Sequence, residues 1–227
     1  MKKKDIRILL ADDEPDILEI VGYNLTQEGY QVTTVSNGRD AVAKARQIHP
    51  HLIILDVMMP EMDGMEACEN IRKIPELNNT VITFLTARNE DYSQVAGFDA
   101  GADDYISKPI RPKLLLSRVK ALLRRFKDEV VAAGTLHVGD IEINREEYKI
   151  IKDGKELALP RKEFELLYLL ASKPGKVFKR EEILDKVWGN DVIVGGRTID
   201  VHIRKLREKI GDDLFKTIKG VGYKIET

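Results

Sequence analysis

Acidic side chains follow two short apolar segments in the N-terminal half of the sequence. Asp12 and Asp13 come just after Ile6–Leu10, and Asp56 comes directly after Leu52–Leu55. If these segments are parallel strands of one sheet, the three carboxylates meet at its carboxyl end, where open α/β sheets bind ligands. Crowded carboxylates repel one another unless a cation lies between them, and oxygen ligands favour a hard ion such as Mg²⁺.

A hydroxyl and an amine belong to the same predicted edge. Thr86 ends the apolar segment Val81–Leu85, and Tyr105–Ser107 leads directly into Lys108. Phosphoryl transfer requires charge compensation, usually from a divalent metal and a lysine. Asp56 is a candidate nucleophile as well as a ligand, since carboxylates form aspartyl phosphates. Thr86 and Lys108 would each bind a phosphate oxygen.

Two other interpretations of the acids compete with a phosphoryl pocket. A single acid at a strand end is commonly a helix N-cap, but five polar groups at successive strand ends make that role a minority interpretation. A phosphohydrolase of the haloacid dehalogenase type also uses a strand-end aspartate and Mg²⁺. Its general acid is an aspartate two positions after the nucleophile, where this sequence has Met58, so the hydrolase is disfavoured.

Apolar segments alternate with amphipathic segments over residues 6–125, which is typical of βα units and a parallel sheet covered on both faces. Five strands and five helices form a complete doubly wound domain of the flavodoxin-like type. The predicted helices are Pro15–Glu28, Gly38–Gln47, Gly64–Ile74, Glu90–Ala100 and Pro112–Arg125.

The composition is that of a water-soluble protein with two domains. The chain has 227 residues and a net charge of −1. It contains no apolar segment of the roughly 18 residues that span a bilayer. Cys68 is the only cysteine, so no intrachain disulfide is possible, and we expect a reducing cytoplasm.

The pattern changes after residue 125. We predict a first domain over 1–125, a linker over 126–134 and a second domain over 135–227. The second domain begins with short alternating segments, and Asp153-Gly154 is predicted as a hairpin turn.

A basic helix is predicted near the C-terminus, at Arg197–Ile210. Ile199, Ile203, Leu206 and Ile210 form its buried stripe. A following hairpin, Lys216–Glu226, turns at Gly220-Val221-Gly222 and resembles a wing that contacts the minor groove. The helix face opposite the stripe is either solvated or suited to the major groove; it presents Arg197, Val201, Arg204, Lys205 and Glu208.

Residues 6–125 resemble the receiver domain of two-component signalling. By this resemblance Asp56 accepts a phosphoryl group from a sensor histidine kinase, and Thr86 and Tyr105 form a switch pair. The resemblance also implies that Mg²⁺ binds Asp12, Asp13, Asp56 and the Met58 carbonyl, and that the bond before Pro109 is cis. The motifs are Asp12-Asp13-Glu14, Leu55-Asp56-Val-Met-Met-Pro60-x-Met-Asp-Gly64, Leu85-Thr86-Ala87 and Gly101-Ala-Asp-Asp-Tyr105-Ile-Ser-Lys108-Pro109.

Residues 135–227 resemble the winged-helix effector domain of the OmpR/PhoB family. The motifs are Leu159-Pro160-x-x-Glu163-Phe-x-Leu166-Leu167, Pro174-Gly175-x-Val177, Val187-Trp188-Gly189, Arg197-Thr-Ile-Asp-Val-His-Ile203-x-x-Leu206-Arg207 and Gly220-Val221-Gly222-Tyr223-Lys224.

This second resemblance implies a DNA-binding transcription regulator, not an enzyme, that binds double-stranded DNA at direct-repeat half-sites. The loop Gly189–Gly196 is a candidate contact for RNA polymerase. Lys205 stands where many members have arginine, and lysine cannot make the planar bidentate contact to guanine. The implied DNA-binding residues are Arg197, Thr198, Val201, Arg204, Lys205, Lys219 and Lys224.

Family members form homodimers when phosphorylated, through a 4-5-5 face made by the fourth helix, fifth strand and fifth helix of the receiver. Gln94 and Leu114 stand where a basic and an acidic partner are usual. A phosphorylation-independent regulator with a constitutively dimeric receiver is therefore the alternative. The residues expected at this interface are Val95, Phe98, Asp103, Asp104, Arg118 and Lys120.

Overall fold

The apolar segments of the N-terminal half form a parallel sheet whose central strands are buried on both faces. The sheet order is β2-β1-β3-β4-β5, and every neighbouring pair is parallel. The predicted doubly wound fold is confirmed. The strands are β1 (Arg7–Ala11), β2 (Gln31–Val35), β3 (Leu52–Asp56), β4 (Val81–Ala87) and β5 (Asp104–Lys108).

The computed structural model divides the chain into two compact units, Met1–Asp128 and Glu129–Thr227. The linker predicted over 126–134 lies outside the residues that the structure describes. The described residues are 2–87, 100–124, 135–189 and 197–226, with the side chains of Ala87, Arg124 and Arg197 excepted. In these ranges, no helix has the length and apolarity that crossing a membrane requires.

Helices follow the strands of the first unit, and polar side chains begin two of them. Asn37 and Asp63 accept hydrogen bonds from the N–H groups of Asp40 and Glu66, each at 2.8 Å, so these residues are N-caps. The helix predicted at Glu90–Ala100 lies outside the described residues, apart from its last position. The described helices of this unit are Pro15–Gln27, Gly38–Ile48, Gly64–Arg72 and Pro112–Arg124.

The register of the sheet aligns the strand ends that carry polar residues. Ala11 of β1 is paired with Leu55 of β3. Asp12 and Asp56 are the residues that come directly after this pair. Across the sheet, Ala87 is paired with Lys108. The strand ends therefore meet at one edge, as the sequence predicts.

The second unit begins with a four-stranded antiparallel sheet, in the order β6-β7-β8-β9. Asp153 and Gly154 have φ values of 51° and 73°. Two successive positive φ values are typical of the two-residue hairpin turn predicted there. The strands are β6 (Thr135–Val138), β7 (Ile141–Asn144), β8 (Lys149–Lys152) and β9 (Lys155–Leu157).

The remaining described residues of this unit form three helices and a second small sheet. The helices are Arg161–Ala171, Arg180–Val187 and Arg197–Ile210. The strands β10 (Phe178–Lys179), β11 (Phe215–Ile218) and β12 (Gly222–Ile225) are ordered β10-β12-β11. We call the last helix the recognition helix and the antiparallel hairpin of β11 and β12 the wing.

The core of the second unit is close to the one that the sequence predicts. Ile199, Ile203, Leu206 and Ile210 are at most 3% exposed, because they share one helical face. Trp188, Phe164 and Tyr223 are also buried. Gly222 allows the wing to pack closely, since a Cβ at this residue would lie 1.9 Å from the carbonyl oxygen of Phe178.

Candidate functional site

The amine of Lys108 joins the two buried carboxylates of the strand-end pocket. Lys108 Nζ lies 2.7 Å from Asp56 Oδ1 and 3.0 Å from Asp12 Oδ2. Asp12 is fully buried and Asp56 is 5% exposed. The pocket therefore holds two carboxylates and one ammonium group where water has little access.

Local backbone contacts fix both carboxylates. Asp12 Oδ1 accepts a hydrogen bond from the N–H of Glu14 at 3.0 Å, and Asp56 Oδ2 accepts one from the N–H of Met58 at 2.8 Å. The helix that follows Asp12 begins at Pro15, with Glu14 in its N-cap position. Asp12 is therefore not an N-cap, and the helix-capping interpretation does not apply to it.

Gly64 allows the loop after β3 to return to the pocket. A Cβ at this position would lie 2.0 Å from the carbonyl oxygen of Asp56. Such a distance is incompatible with any side chain unless the backbone moves. The glycine of the Met-Asp-Gly64 motif thus supports the strand end that carries Asp56.

Burial dominates the electrostatics of the pocket. Burial raises the pKa of Asp12, outweighing its contacts with Glu14 and Lys108. Burial also raises the pKa of Asp56, and repulsion from Asp12 adds to this effect. Burial alone would lower the pKa of Lys108, but the close contacts of its ammonium group with Asp56, Glu14 and Asp12 raise it on balance. Burial thus disfavours the charged form of both carboxylates, despite the nearby ammonium group.

Glu14 is a member of the pocket that the sequence prediction omitted. Its Oε1 lies 2.9 Å from Lys108 Nζ, although its side chain is 60% exposed. The signal was present as the third acid in Asp12-Asp13-Glu14. Sequence spacing does not show which of three successive acids reach a lysine 94 positions away.

The residues of the pocket fit a divalent cation. Asp12 Oδ2 is buried and makes no hydrogen bond within the described ranges, although it pairs with Lys108. Asp13 is exposed, and no three His, Cys, Asp or Glu side chains among the described residues are grouped to hold a metal ion. Because Mg²⁺ is often held by one or two carboxylates and several waters, Asp12 and Asp56 are sufficient donors.

The two predicted switch residues lie on the strands next to the pocket. Thr86 is 3% exposed and Tyr105 is 5% exposed. The Tyr105 ring lies beside that of Phe84, with centroids 5.8 Å apart. The bond between Lys108 and Pro109 is cis, as the receiver resemblance implies.

Several residues expected at a dimer interface form ion pairs within the chain. Asp103 is 1% exposed and its Oδ2 lies 2.7 Å from Arg72 Nη2. Arg118 Nη1 lies 3.6 Å from Asp104 Oδ2, and both residues are buried. Each acid is buried and close to an arginine of its own chain, so a link between protomers through these side chains would require the intrachain pairs to open; their interface role stays a prediction.

The other residues considered for the dimer interface are either exposed or outside the described residues. Lys120 is half exposed and lies 3.0 Å from Glu28. Leu114 is 49% exposed. Val95 and Phe98 lie outside the described residues, as does Gln94.

The recognition helix exposes part of its predicted DNA face. The side chains of Arg204 and Glu208 are 56% and 65% exposed and form an ion pair at 3.6 Å. Lys219 is exposed at the wing, and Lys224 pairs with Glu226. The side chain of Arg197 and most of the loop predicted to contact RNA polymerase lie outside the described residues.

Two of the predicted DNA-binding residues of this helix are buried. Thr198 is fully buried and Val201 is 8% exposed, so the expectation that Val201 is an exposed contact is wrong for this structure. Helical spacing shows which face a residue occupies but not which other segments cover it. His202, absent from the prediction, is also buried and lies edge-on to Trp188 at 5.1 Å.

Two family models match the chain over the regions with these features. Residues 8–120 match the response regulator receiver domain, and residues 154–225 match the C-terminal domain of transcriptional regulatory proteins. This chain is a two-component response regulator of the OmpR/PhoB family. Members of the family are DNA-binding transcription regulators and not classical enzymes.

Relatives of the response regulator match it over nearly its full length. The phosphate regulon regulatory protein PhoB of Rhizobium meliloti is 40% identical over 225 residues, covering 97% of this chain and 99% of the relative. The alkaline phosphatase synthesis regulatory protein PhoP of Bacillus subtilis is also 40% identical, with coverages of 97% and 96%.

Solved structures extend the similarity to the fold. A RitR variant superposes with a TM-score of 0.80 at 28% identity, covering 97% of this chain and 99% of that chain. DrrB, an OmpR/PhoB homologue from Thermotoga maritima, has a TM-score of 0.51 at 36% identity, with coverages of 98% and 99%.

Proposed function

We propose that Asp56 accepts a phosphoryl group from a sensor histidine kinase and that this modification switches the response regulator to a dimer that binds promoter DNA. The observation that carries the proposal is the contact of Lys108 with both Asp56 and Asp12. A nucleophile beside a second carboxylate and a lysine is the arrangement that phosphoryl transfer requires.

The transfer is a substitution at phosphorus. An Asp56 carboxylate oxygen forms a P–O bond while the P–N bond to the kinase histidine breaks, and that imidazole nitrogen regains a proton from solvent. Asp56 Oδ2 is held by the Met58 N–H, whereas Oδ1 faces Lys108. The developing negative charge on the phosphoryl oxygens lies beside the Lys108 ammonium group, which stabilises it.

Asp12 and Asp56 would hold Mg²⁺, with Asp13 and the Met58 carbonyl as further candidate ligands. When bound, Mg²⁺ supplies positive charge to the attacking carboxylate and to the phosphoryl oxygens. Lys108 remains in the pocket through Glu14, whose carboxylate is 2.9 Å away. Slow loss of the phosphoryl group to water would reset the switch.

Thr86 and Tyr105 are proposed to transmit the change. Thr86 lies at the end of β4, next to β5. Its hydroxyl would donate to the new phosphoryl group, and the space it leaves would be filled by the Tyr105 ring. Such a shift changes the 4-5-5 face, because Tyr105 is part of its central strand.

A groove beside the pocket is a suitable docking site for the kinase. It has a volume of about 520 Å³ and is bordered by Glu14 and Lys108. Its apolar lining includes Ile17, Val21, Pro109 and Ile20, which is 50% exposed. A partner that brings a phosphohistidine to Asp56 must approach this edge, and an apolar groove continuous with Lys108 offers it a contact surface.

Dimerisation would place two winged helices on adjacent direct-repeat half-sites and raise their effective concentration there. The proposed DNA contacts in the described residues are Arg204, Lys205, Lys219 and Lys224, and the loop at 189–196 is proposed to contact RNA polymerase. These activities belong in the cytoplasm, where promoter DNA is accessible.

The experiment that tests the phosphoacceptor is transfer from acetyl phosphate in the presence of Mg²⁺, followed by intact mass and peptide mapping. The wild-type protein is expected to gain one phosphoryl group at Asp56, and the Asp56→Asn variant none. A variant that still gains the group would contradict the assignment.

A further inference from the structure

Three side chains from three elements converge beside the recognition helix. Arg180 Nη2 lies 2.6 Å from Asp200 Oδ1 and donates a hydrogen bond to Tyr223 Oη at 3.2 Å. The Tyr223 hydroxyl donates to the same Asp200 oxygen. The Arg180 guanidinium also lies 5.2 Å from the centroid of the Tyr223 ring, within the range of a cation–π contact.

These contacts join the elements that are expected to read DNA. Arg180 is the first residue of its helix, Asp200 lies in the first turn of the recognition helix, and Tyr223 lies on wing strand β12. The N–H of Arg180 also donates to the carbonyl of Val221, in the turn of the wing, at 3.2 Å. The cluster therefore links the wing to the recognition helix through side chains, and the backbone hydrogen bond ties the wing to the helix that begins at Arg180.

An acidic residue such as Asp200 is unexpected on a surface that binds phosphates. Its side chain is 46% exposed, and it stands four residues before Arg204, so the two share one side of the helix. An exposed carboxylate there would repel the DNA backbone. Arg180 offsets that charge through direct contact, which explains how the acid is tolerated.

The Tyr223 hydroxyl, which bridges Arg180 and Asp200, has a raised pKa. Burial, and then the hydrogen bond to Asp200 and its charge, raise the pKa of Tyr223 to about 12. The hydroxyl is thus a donor to Asp200 throughout the physiological range.

We infer that Arg180, Asp200 and Tyr223 form a positioning cluster that sets the wing against the recognition helix for sequence-specific DNA binding. None of the three needs to contact a base. The inference rests on the proposed DNA contacts of Arg204 and Lys219, because it concerns how those two residues are placed relative to each other.

The test compares Asp200→Asn with Glu208→Gln in the full-length protein. Both changes remove one negative charge from the recognition helix, so charge alone predicts tighter DNA binding for both. The positioning cluster predicts that Asp200→Asn weakens binding about tenfold, the scale of a lost charged hydrogen bond, while Glu208→Gln binds as well as wild type or better.

The probe is a 30-base-pair duplex enriched from a random-sequence pool by the wild-type protein, with the unselected pool as the non-specific reference. Asp200→Asn is expected to lower affinity for the enriched duplex far more than for the pool. If it binds the enriched duplex as tightly as wild type does, the inference is wrong. Tyr223→Phe, which removes only the hydroxyl, is the second variant should Asp200→Asn fold poorly.

A double-mutant cycle of Asp200→Asn and Lys219→Ala measures whether the two residues are coupled in DNA binding. A purely structural role of the cluster would not produce such coupling. If the cluster positions the wing, Lys219→Ala costs less affinity in the Asp200→Asn background than in wild type. Additive effects would contradict the coupling. If Lys219→Ala has no effect in wild type, the proposed wing contact fails by itself, and the comparison of Asp200→Asn with Glu208→Gln still tests the cluster.

Discussion

Lys108 Nζ lies 2.7 Å from Asp56 Oδ1, so the proposed nucleophile is paired with a cation of its own chain. The same amine contacts Asp12 and Glu14. Lys108 supplies part of the charge compensation that Mg²⁺ and a phosphoryl group would redistribute. The pKa values of Asp12 and Asp56 are nevertheless raised by burial, so the pocket without a metal ion has a cost in folding free energy.

That cost predicts that Asp12→Asn stabilises the protein when metal is absent. The amide removes a buried charge and keeps an acceptor for the Glu14 N–H. We expect the midpoint of thermal unfolding of the receiver to rise by about 3–5 °C, the shift produced by a change on the order of 1 kcal/mol in a domain of this size.

The comparison for this prediction in the presence of a chelator is Asp13→Asn, because Asp13 is exposed and its change should leave the metal-free midpoint nearly unaltered. Calorimetry with a chelator and with Mg²⁺ provides the measurement. Added Mg²⁺ should raise the midpoint of wild type more than that of Asp12→Asn. Equal effects of Mg²⁺ on both proteins would exclude Asp12 as a ligand.

The stability of the receiver should depend on pH through His51. Its Nδ1 accepts a hydrogen bond from the Arg7 N–H at 3.0 Å. Burial, and then the charge of Arg7, lower the pKa of His51 from its ordinary value of 6.5. Below that pH the unfolded chain takes up a proton that the folded protein does not, so this contribution to stability is lost as the pH falls through 6.5 toward the folded pKa.

His51→Asn keeps an acceptor and removes the titration. Between pH 7.5 and pH 5.5, the unfolding midpoint of wild type should fall further than that of the variant. Other groups titrate alike in both proteins and cancel in this comparison. Parallel pH profiles would show that His51 contributes nothing.

Arg72 should stabilise the receiver through Asp103. Besides the ion pair, Arg72 donates to the carbonyls of Gly101 and Thr80 at 2.9 and 2.8 Å. Arg72→Met would leave Asp103 buried without that partner, which is expected to lower the free energy of unfolding by about 3 kcal/mol. Arg39→Met is the comparison, since Arg39 pairs with Glu61 at the surface, and denaturant unfolding is the measurement. A negligible effect of Arg72→Met would show that the pair with Asp103 contributes little to folding.

Lys219 should contribute to DNA affinity through its attraction to the charged phosphates of the backbone. Lys219→Ala is expected to weaken binding to every duplex by a similar factor and to reduce the slope of log affinity against log salt by about one. Lys155→Ala serves as the charge-matched comparison, because Lys155 is exposed on β9 and away from the recognition helix and wing in sequence. Fluorescence anisotropy at several salt concentrations measures both. A base-specific loss, or an equal loss in Lys155→Ala, would contradict the wing contact.

The sequence is sufficient for the fold and for most of the pocket, because parallel strands carry their end residues to one edge. Asp12, Asp56 and Lys108 therefore meet as the spacing predicts. Sequence patterns do not show which polar groups pair across long separations. Glu14 binds Lys108 across 94 positions, and Asp103 binds Arg72 across 31.

In the recognition helix, too, the sequence predicts some features and not others. Its buried stripe follows from helical periodicity, as Ile203 and Leu206 confirm. The burial of Val201 does not, since it depends on residues outside the helix. The Arg180–Asp200 ion pair also joins separate helices, and no local pattern predicts it.

The oligomeric state of the full-length protein with and without beryllium fluoride and Mg²⁺ tests the central claim most directly, because this reagent mimics a phosphoryl group on an aspartate. Sedimentation equilibrium is expected to show a monomer without the mimic and a dimer with it, and a monomer under both conditions for Asp56→Asn. A dimer under both conditions in wild type, or no change on adding the mimic, would contradict a phosphorylation switch at Asp56.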